Sequence, residues 1–525
     1  AVRMRLLAAQ LVTKYGRTQV LEWYLNSAWF GHLAVGAESA SQLYFDKSCG
    51  DLDLAESAML VSAIQAPALN PLDAPLNALE MQRELLAEMA RSQAINIDEF
   101  TEAIHEEVNL REDMADPQSL APAFTRHLLQ SLENQFFENR LQRGGLIIQS
   151  SLDLDLQQQL ICTAVTQMDR LQGQNGSSES LDSETCPTAL LLPTQQFNAL
   201  AYNSIAGAGI VIDPQKGSVL AYMDPTASNG SHLADSGYQP GSLLSPFIAL
   251  SGFARGLSPA SLEWDIPNDN GVIEAGYQNA DQQWHGAVSV RSAVANNYLV
   301  PMVDVLNQAG ISNTWRLAST LGLSSLNDAG ETVSPLFGGS SASLLEIASA
   351  YGTLANSGVR SGTLNEQTGE ITLNFISEIK TTTGRLLAGG EAPDKSAVLS
   401  QQLAYLINHV LSDESARWES LGYPNVLEIG QTTAAKLGSV SDNQRVWTVG
   451  YTPQRLVLVW MGNTQQEENA QQLDPLMTAG IWHAVMREAA SGLSNAGWMQ
   501  PDGITTVDVC VPSGMLPSAD CPSTM

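Results

Sequence analysis

The chain has 525 residues, of which 44% are hydrophobic and 15% are charged. This composition is typical of a globular protein and excludes an intrinsically disordered one, and the length predicts two or three domains. The formal net charge is −30. Because a field of that sign repels nucleic acid and anionic lipid, we expect no nucleic-acid partner and interpret the acidic residues as a solvated surface.

The chain contains no run of about 18 apolar residues, so we predict no transmembrane helix, and it shows no signal peptide. It begins with Ala1-Val2-Arg3-Met4, already within a helical pattern. From this beginning we expect that the natural N-terminus is missing from the sequence.

Five cysteines are spread along the chain. Cys162 and Cys186 flank a polar segment, and Cys510 and Cys521 enclose a short loop near the end. Either pair could form a disulfide in an oxidising compartment, although the total is odd. No Cys/His cluster has the spacing of a metal site, and we predict neither a metal nor a cofactor.

The first 110 residues have the pattern of amphipathic helices. Apolar residues recur at helical spacing at Leu6, Leu7, Leu11 and Val12. A later helix is expected to start after Asp53, which is a favourable capping residue, or after an earlier cap. This part of the chain is therefore predicted to be helical.

A connecting segment follows. Residues 111–145 are polar and mixed, with helical character at 124–137, and the sequence GGLIIQSSLDLDLQQQLICTAV predicts a strand followed by a helix. Residues 173–189 are rich in Gly, Ser and acidic residues and predict a loop or flexible insertion.

From about Ala206 the pattern becomes α/β. Two pairs of apolar runs predict hairpins, with turns at 213–217 and at 452–454. Helices are predicted at 242–254, 288–298, 343–356 and 397–412. Strands at both ends with helices between them indicate one antiparallel sheet made of segments distant in the chain.

Several stretches of the chain, in this order, resemble successive parts of one protein family. They are KYGRTQVLEWYLNSAWFG, RGGLIIQSSLDLDLQQQL, GAGIVIDPQKGSVLAYM, YQPGSLLSPFIAL, AAKLGSVSDNQRVWTVGYTPQRLVLVWMGN and VCVPSGMLPSADCP. The chain thereby resembles the class A (bifunctional) penicillin-binding proteins, which join a peptidoglycan glycosyltransferase domain to a transpeptidase domain.

The resemblance implies an α+β fold. A helical, lysozyme-like remnant of a glycosyltransferase domain is expected at 1–110 and a linker region at 111–205. A penicillin-binding, β-lactamase-like transpeptidase domain is expected at 206–492, with a central antiparallel sheet flanked by helices. A C-terminal tail is expected at 493–525.

The resemblance also implies a role in cell-wall synthesis outside the cytoplasmic membrane. The expected partners are the peptidoglycan stem peptide or lipid-linked precursor and other cell-wall synthesis proteins. Contact with the membrane is expected only through the missing N-terminal anchor.

Transpeptidation proceeds through a serine ester, and a serine hydroxyl needs a nearby base because it is a weak nucleophile at neutral pH. The family's S-x-x-K motif places Ser and Lys one helical turn apart. Here Ser242 stands at the nucleophile position and Ser245 at the base position. A hydroxyl cannot take a proton from another hydroxyl at neutral pH, so we also consider, and favour, a role for Ser242 as a helix N-cap.

The other two motifs also depart from the family. Asn297 stands where the S-x-N motif has Ser, and Leu299 where it has Asn. Asn297 can still form hydrogen bonds to a substrate, whereas Leu299 cannot.

For K-T-G there are two frames, at 430–433 and at 436–439, and we choose the second because it keeps the family's spacing to Trp447. In that frame Lys436 and Ser439 would face a carboxylate of the substrate, and Gly438 would let a ligand approach the strand. An exposed strand lysine is the alternative interpretation of Lys436, and Lys436 is also a candidate for the missing base.

The glycosyltransferase motifs are weaker. The segment with the family's first catalytic Glu would precede residue 1, and the second Glu falls at Met4. A family Arg falls at Met81, whereas Tyr44-Phe45-Asp46-Lys47 keeps most of a motif near the donor site. A thioether cannot transfer protons, so this centre is also expected to be impaired.

Four hypotheses remain open. The first is a catalytically impaired homologue kept as a scaffold or regulator of wall synthesis. The second is an enzyme with residual serine acyl-transfer activity that uses Ser242 with an unusual base. The third is a non-catalytic binder of stem peptide or glycan, and the fourth is a partial gene product whose active copies lie elsewhere.

Overall fold

The computed structural model describes most of the chain, as two compact units. The first comprises residues 1–120, 128–148 and 379–388, and the second 121–127, 149–378 and 389–525. The described residues are 2–31, 34–72, 74–106, 108, 110, 120–135, 146–172, 186–194, 205–224, 237–267, 279, 281–365, 369–381, 383–390, 392–463 and 472–524.

The helices and strands are numbered here in chain order. The helices are α1 Val2–Tyr15, α2 Arg17–Ser27, α3 Ala37–Phe45, α4 Leu54–Gln65, α5 Pro75–Arg91, α6 Ile97–His105, α7 Pro122–Gln135, α8 Leu154–Leu171, α9 Ser245–Ala254, α10 Val290–Asn296, α11 Leu299–Ala309, α12 Ile311–Leu321, α13 Leu344–Ala355, α14 Gln401–Leu411, α15 Trp418–Leu421 and α16 Leu476–Ala489. The strands are β1 Leu146–Ser150, β2 Ile205–Asp213, β3 Ser218–Met223, β4 Leu262–Asp265, β5 Gly286–Ser289, β6 Val359–Leu364, β7 Ile371–Thr372, β8 Ile376–Thr381, β9 Leu386–Gly389, β10 Asp394–Ala397, β11 Ala434–Ser439, β12 Arg445–Tyr451 and β13 Leu456–Asn463.

Helices α1 to α6 all belong to the first unit. The start of α4 is the one predicted: the Asp53 side chain accepts a hydrogen bond of 2.7 Å from the Glu56 N–H, and the Glu56 carboxylate accepts one from the Asp53 N–H. This capping box satisfies two backbone donors that the helix itself cannot pair. The apolar core of this unit includes Phe30, Tyr44 and Met59, all buried.

The second unit is built on a five-stranded antiparallel sheet with the order β11-β12-β13-β2-β3. The predicted hairpins are β2–β3 and β12–β13. They pair through β13 and β2, where Leu456 lies opposite Ile212. The prediction of one antiparallel sheet made from segments distant in the chain is therefore confirmed.

Both faces of this sheet are covered. Along β13, Val457, Val459 and Met461 belong to a core formed with α8 and α16, and the alternating residues Leu458 and Trp460 are buried on the opposite face. A strand buried on both sides needs a continuous apolar run, which explains the sequence LVLVWMGN. Strand β11 is the last strand in this order, and within the described part of the chain it pairs only with β12.

The helix predicted at 288–298 is shorter than expected, because Val288 and Ser289 belong to β5 and α10 covers only Val290–Asn296. Helix α10 ends at Asn296, and Asn297 adopts a left-handed conformation, with φ 61° and ψ 35°, before α11 starts at Leu299. Asn tolerates this conformation better than most residues, so it can end a helix where the apolar pattern alone shows no break.

Two disulfides are present, Cys162–Cys186 and Cys510–Cys521, with Cα–Cα distances of 6.1 and 5.6 Å. Both pairs suggested by the sequence are therefore formed, and Cys49 is free and exposed. In the described parts of the chain we find no helix with the length and apolarity needed to cross a bilayer.

Candidate functional site

Ser242 lies in a short 3-10 turn, Gly241–Leu244, that leads into α9. Its side chain is buried, and its Oγ accepts a hydrogen bond of 2.9 Å from the backbone N–H of Ser439 on β11. The turn is pressed against this strand: Gly241 has φ 53°, and a Cβ at that position would collide with the Ser439 carbonyl oxygen. Only glycine allows Ser242 to lie this close to the edge strand.

The capping role that we favoured for Ser242 is wrong. The residue before α9 is Leu244, and no side chain caps the helix. The 3-10 turn places Ser242 three residues ahead of α9, where its hydroxyl reaches the backbone of β11 instead of the N–H groups of its own helix.

Ser245 is completely buried at the first position of α9. Its hydroxyl donates a hydrogen bond of 2.9 Å to the backbone carbonyl oxygen of Ser242. The side chain at the base position is thus engaged with the main chain of the turn, and a hydroxyl has no basicity with which to activate the Ser242 hydroxyl at neutral pH.

Lys436 on β11 is buried, so the alternative of an exposed strand lysine is wrong. Its Nζ donates a hydrogen bond to Oδ1 of Asn297, and Nδ2 of Asn297 donates one of 3.3 Å to the carbonyl oxygen of Leu437. The left-handed turn at Asn297 therefore lies against the edge strand, where it covers the lysine. These contacts bring together two of the residues predicted to form the site.

Burial and, to a smaller extent, the positive charge of Arg417 together lower the pKa of Lys436 to about 7. Arg417 is itself buried, and its Nη1 donates a hydrogen bond of 2.7 Å to the carbonyl oxygen of Leu411. At neutral pH a substantial fraction of Lys436 is therefore uncharged and able to accept a proton.

Gly438 and Ser439 lie next to the Ser242 turn. A Cβ on Gly438 would be 2.6 Å from Cγ of Leu243, so glycine here lets the turn pack directly on β11. Ser439 contributes its N–H to Ser242. Ligand approach at Gly438 and carboxylate binding by Lys436 and Ser439 stay predictions.

Two further positions considered in the sequence are Leu299 and the alternative K-T-G frame at 430–433. Leu299 is buried as the first residue of α11 and has no polar side-chain atom. The rejected frame at 430–433 precedes β11, whereas the chosen frame at 436–439 lies on it.

In the first unit, Tyr44 donates a hydrogen bond of 2.7 Å to the Phe30 carbonyl oxygen, and Lys47 pairs with Glu56 at 2.6 Å. Met81 is half-buried in α5, and the side chain of Met4 lies outside the described residues.

Sequence reasoning missed Arg417 and His285. Arg417 influences Lys436 through tertiary packing, although the two are 19 positions apart in the chain. His285 contacts Asp265 and Asp281 and stacks on Tyr298, next to Asn297. A His four residues after an Asp is a weak signal by itself, and Asp265 lies on another strand.

Two family models match the chain. A model described as "Transglycosylase" matches residues 2–90, and one described as "Penicillin binding protein transpeptidase domain" matches residues 207–486. The second match covers more than half of the chain and includes every residue of the site around Ser242.

Relatives match along nearly the whole chain. Penicillin-binding protein 1A of Neisseria meningitidis serogroup B is 22% identical over 595 residues, which cover 95% of this chain and 72% of the relative. Penicillin-binding protein 1A of Mycobacterium tuberculosis is 24% identical over 540 residues, which cover 94% of this chain and 59% of the relative.

Solved structures share the fold. The crystal structure of penicillin-binding protein 1A from Haemophilus influenzae superposes with a TM-score of 0.72 at 17% identity, covering 97% of this chain and 90% of that one. PonA1 from Mycobacterium tuberculosis in complex with penicillin V gives a TM-score of 0.54 at 19% identity, with 72% of this chain and 95% of that one covered. Together with the two family models, these matches show that the chain belongs to the class A, bifunctional penicillin-binding proteins of cell-wall synthesis.

Proposed function

We propose that this chain is a catalytically impaired class A penicillin-binding protein that acts in peptidoglycan assembly as a scaffold or regulator. The observation that carries the proposal is the hydrogen bond from the Ser245 hydroxyl to the Ser242 carbonyl oxygen. Ser245 occupies the base position, and its hydroxyl group cannot take the proton of Ser242. Loss of one member of a nucleophile–base pair can remove nearly all of the chemical acceleration.

The rest of the site supports retention of the fold for another purpose. Gly241 and Gly438 still allow the turn to pack on the edge strand, and the N–H of Ser439 still points at Ser242. A backbone N–H in such a position would stabilise an oxyanion in an active serine acyl-transferase. Packing is thus preserved while the proton-transfer groups are changed.

The ligands that fit this proposal are the peptidoglycan stem peptide and its lipid-linked precursor. Lys436, Ser439, Gly438 and Asn297 are the residues proposed to contact them, with Ser242 at the nucleophile position. Binding without turnover would serve either a scaffold or a stem-peptide binder, and other cell-wall synthesis proteins are the partners of the scaffold.

An extracytoplasmic location is part of the proposal. Two disulfides, Cys162–Cys186 and Cys510–Cys521, support it because such bonds persist in oxidising compartments.

The test is turnover of a synthetic pentapeptide that ends in D-Ala-D-Ala, measured as released D-alanine, together with its binding by calorimetry. We expect binding and no release above the level of Ser242→Ala. Release that depends on Ser242 would overturn the impairment. Ser245→Lys shows whether the base position is the main lesion, because it should raise release if Ser242 is otherwise well placed.

A second function, residual acyl transfer from Ser242 with Lys436 as the base, is favoured by one observation. The pKa of Lys436 is lowered to about 7 by burial and by Arg417, which suits a general base at neutral pH. This function predicts that acylation of Ser242 by a penicillin rises with pH around 7 and is lost in Lys436→Met. A pH-independent rate, or a rate that survives Lys436→Met, would exclude it.

A further inference from the structure

His285, which immediately precedes β5, is held between two carboxylates. Its Nδ1 lies 2.8 Å from Oδ2 of Asp265, and its Nε2 lies 3.0 Å from Oδ2 of Asp281. The same Asp265 oxygen accepts the backbone N–H of His285 at 3.0 Å and Nδ2 of Asn279 at 2.7 Å. Asp265 is completely buried, whereas the Asp281 side chain is 48% exposed.

The geometry favours the charged form of the ring. An ionised carboxylate only accepts hydrogen bonds, so contact of both ring nitrogens with carboxylates favours the doubly protonated imidazolium. Burial alone would lower the pKa of His285, but the hydrogen bonds and charges of Asp265 and Asp281 outweigh it and raise the pKa.

The ring also fixes the neighbouring turn. It stacks on Tyr298, with centroids 4.1 Å apart and planes 17° from parallel. Tyr298 is buried and directly follows Asn297, and the backbone N–H of Tyr298 donates a hydrogen bond of 3.0 Å to the Ala293 carbonyl oxygen. The stack therefore acts on the residue that holds the left-handed turn at Asn297 in place.

That turn is the cover of Lys436. Because Asn297 binds both the Lys436 ammonium group and the Leu437 carbonyl oxygen, a displacement of Tyr298 would uncover the lysine and let water reach it. The path from His285 to Lys436 consists of one ring stack, one peptide unit and one side-chain hydrogen bond.

We propose that His285 is a positioning residue of the cleft: clamped between Asp265 and Asp281 and stacked on Tyr298, it holds Asn297 over Lys436. The inference deepens the proposed function and rests on it for assigning this cleft to the transpeptidase site. When His285 loses a proton, one ring nitrogen faces a carboxylate and has no hydrogen to donate to it. The contact with Asp281, the exposed carboxylate of the two, is then lost, and the clamp opens.

Among the residues that the structure describes, the titratable groups in contact with His285 are Asp265 from β4, Asp281 from the segment before β5, and Tyr298, which immediately precedes α11. Beyond the tyrosine, Glu419 on α15 raises the pKa of Tyr298 together with burial, which has the larger effect. Both carboxylates on the ring stabilise the charged form, so the clamp is closed below the raised pKa of His285 and opens above it.

The test is NMR of the full chain between pH 5 and pH 10, with ¹⁵N-labelled histidine and ¹³Cε-labelled lysine. The sequence has six lysines, so the Lys436 signal can be assigned with Lys436→Met. We expect both His285 ring nitrogens to be protonated at pH 6.5. The Lys436 midpoint should lie near 7 and rise by at least one pH unit in Asp281→Asn and in His285→Gln, because rehydration restores the ordinary pKa.

His105→Gln is the matched control, since His105 is exposed on α6, where its Nδ1 lies 2.8 Å from the Thr101 carbonyl oxygen. It should leave the Lys436 midpoint unchanged. Asp281→Asn keeps the buried Asp265 contact and so remains folded even if His285→Gln does not. A Lys436 midpoint within 0.3 pH units of the unmodified protein in Asp281→Asn would overturn the inference. The readout is a lysine titration, so it does not depend on whether Ser242 reacts.

Discussion

Replacing Lys436 by Met should stabilise the second unit at neutral pH. The structure buries the lysine, and burial together with Arg417 lowers its pKa from 10.5 to about 7. In the unfolded chain the lysine is fully protonated at pH 7, whereas in the folded chain about half of it has lost the proton. This difference costs the native state about 4 kcal/mol at pH 7 and about 2 kcal/mol at pH 9.

The sign follows from proton binding. Between pH 7 and pH 10 the unfolded state binds more protons than the native state at this position, so the stability of the unmodified protein rises with pH. Lys436→Met removes this dependence and also the bond to Asn297, which contributes about 1 kcal/mol. The variant should therefore be more stable by about 3 kcal/mol at pH 7 and by about 1 kcal/mol at pH 9.

The assay is guanidinium unfolding of both proteins at pH 7 and pH 9, followed by tryptophan fluorescence. The quantity that matters is the change with pH of the difference between them, because contributions of other groups cancel. Lys395→Met, at an exposed strand position, is the control and should show no such change. A difference that is the same at both pH values would refute the burial and charge assigned to Lys436.

Further predictions concern packing, cross-links and acidity. Gly241→Ala should lower the unfolding free energy by more than about 2 kcal/mol, because the position combines φ 53° with contact to the Ser439 carbonyl oxygen. Gly256→Ala, with φ 102° and open space around it, should cost only about 1 kcal/mol in the same unfolding measurement. Cys162→Ser should lower the unfolding free energy by about 2–4 kcal/mol because it removes the Cys162–Cys186 disulfide. Cys49→Ser is the control and should leave the unfolding free energy unchanged, since Cys49 is a free cysteine. A similar loss of stability in Cys49→Ser would contradict this pairing of the cysteines. Burial raises the pKa of Glu263, so its contribution to stability is present below pH 4 and is lost as pH rises through the raised pKa. In thermal unfolding, the Tm of Glu263→Gln should therefore rise relative to that of the unmodified protein between pH 4 and pH 7. If the Tm values of the two proteins change in parallel with pH, the raised pKa of Glu263 is contradicted.

Local signals in the sequence were sufficient for much of the fold. Asp53 is a favourable capping residue ahead of an apolar run, and α4 does start directly after it. The apolar runs around 213–217 and 452–454 predict the two hairpins, since a turn and two strands are encoded within about twenty residues. The end of the helix at Asn296 was predicted two residues too late, because Asn297 fits a helical pattern as well as a left-handed turn.

The site was predictable only in part. Ser242 and Lys436 could be located because each belongs to a short motif at the expected spacing. Their environments could not be predicted from the motifs. The burial of Lys436 depends on a turn 139 positions away in the chain, and the hydrogen bond of Ser242 depends on a strand 197 positions away. For the same reason the capping role of Ser242 was wrong and the contribution of Arg417 was not foreseen.

The most direct test of the central claim is acylation of Ser242. The folded full chain is incubated with a fluorescent penicillin, and the intact mass is measured alongside Ser242→Ala and Ser245→Lys. We predict no adduct on the unmodified protein, because Ser245 offers Ser242 no base, and an adduct on Ser245→Lys. An adduct on the unmodified protein that is absent from Ser242→Ala would contradict the impairment of this site.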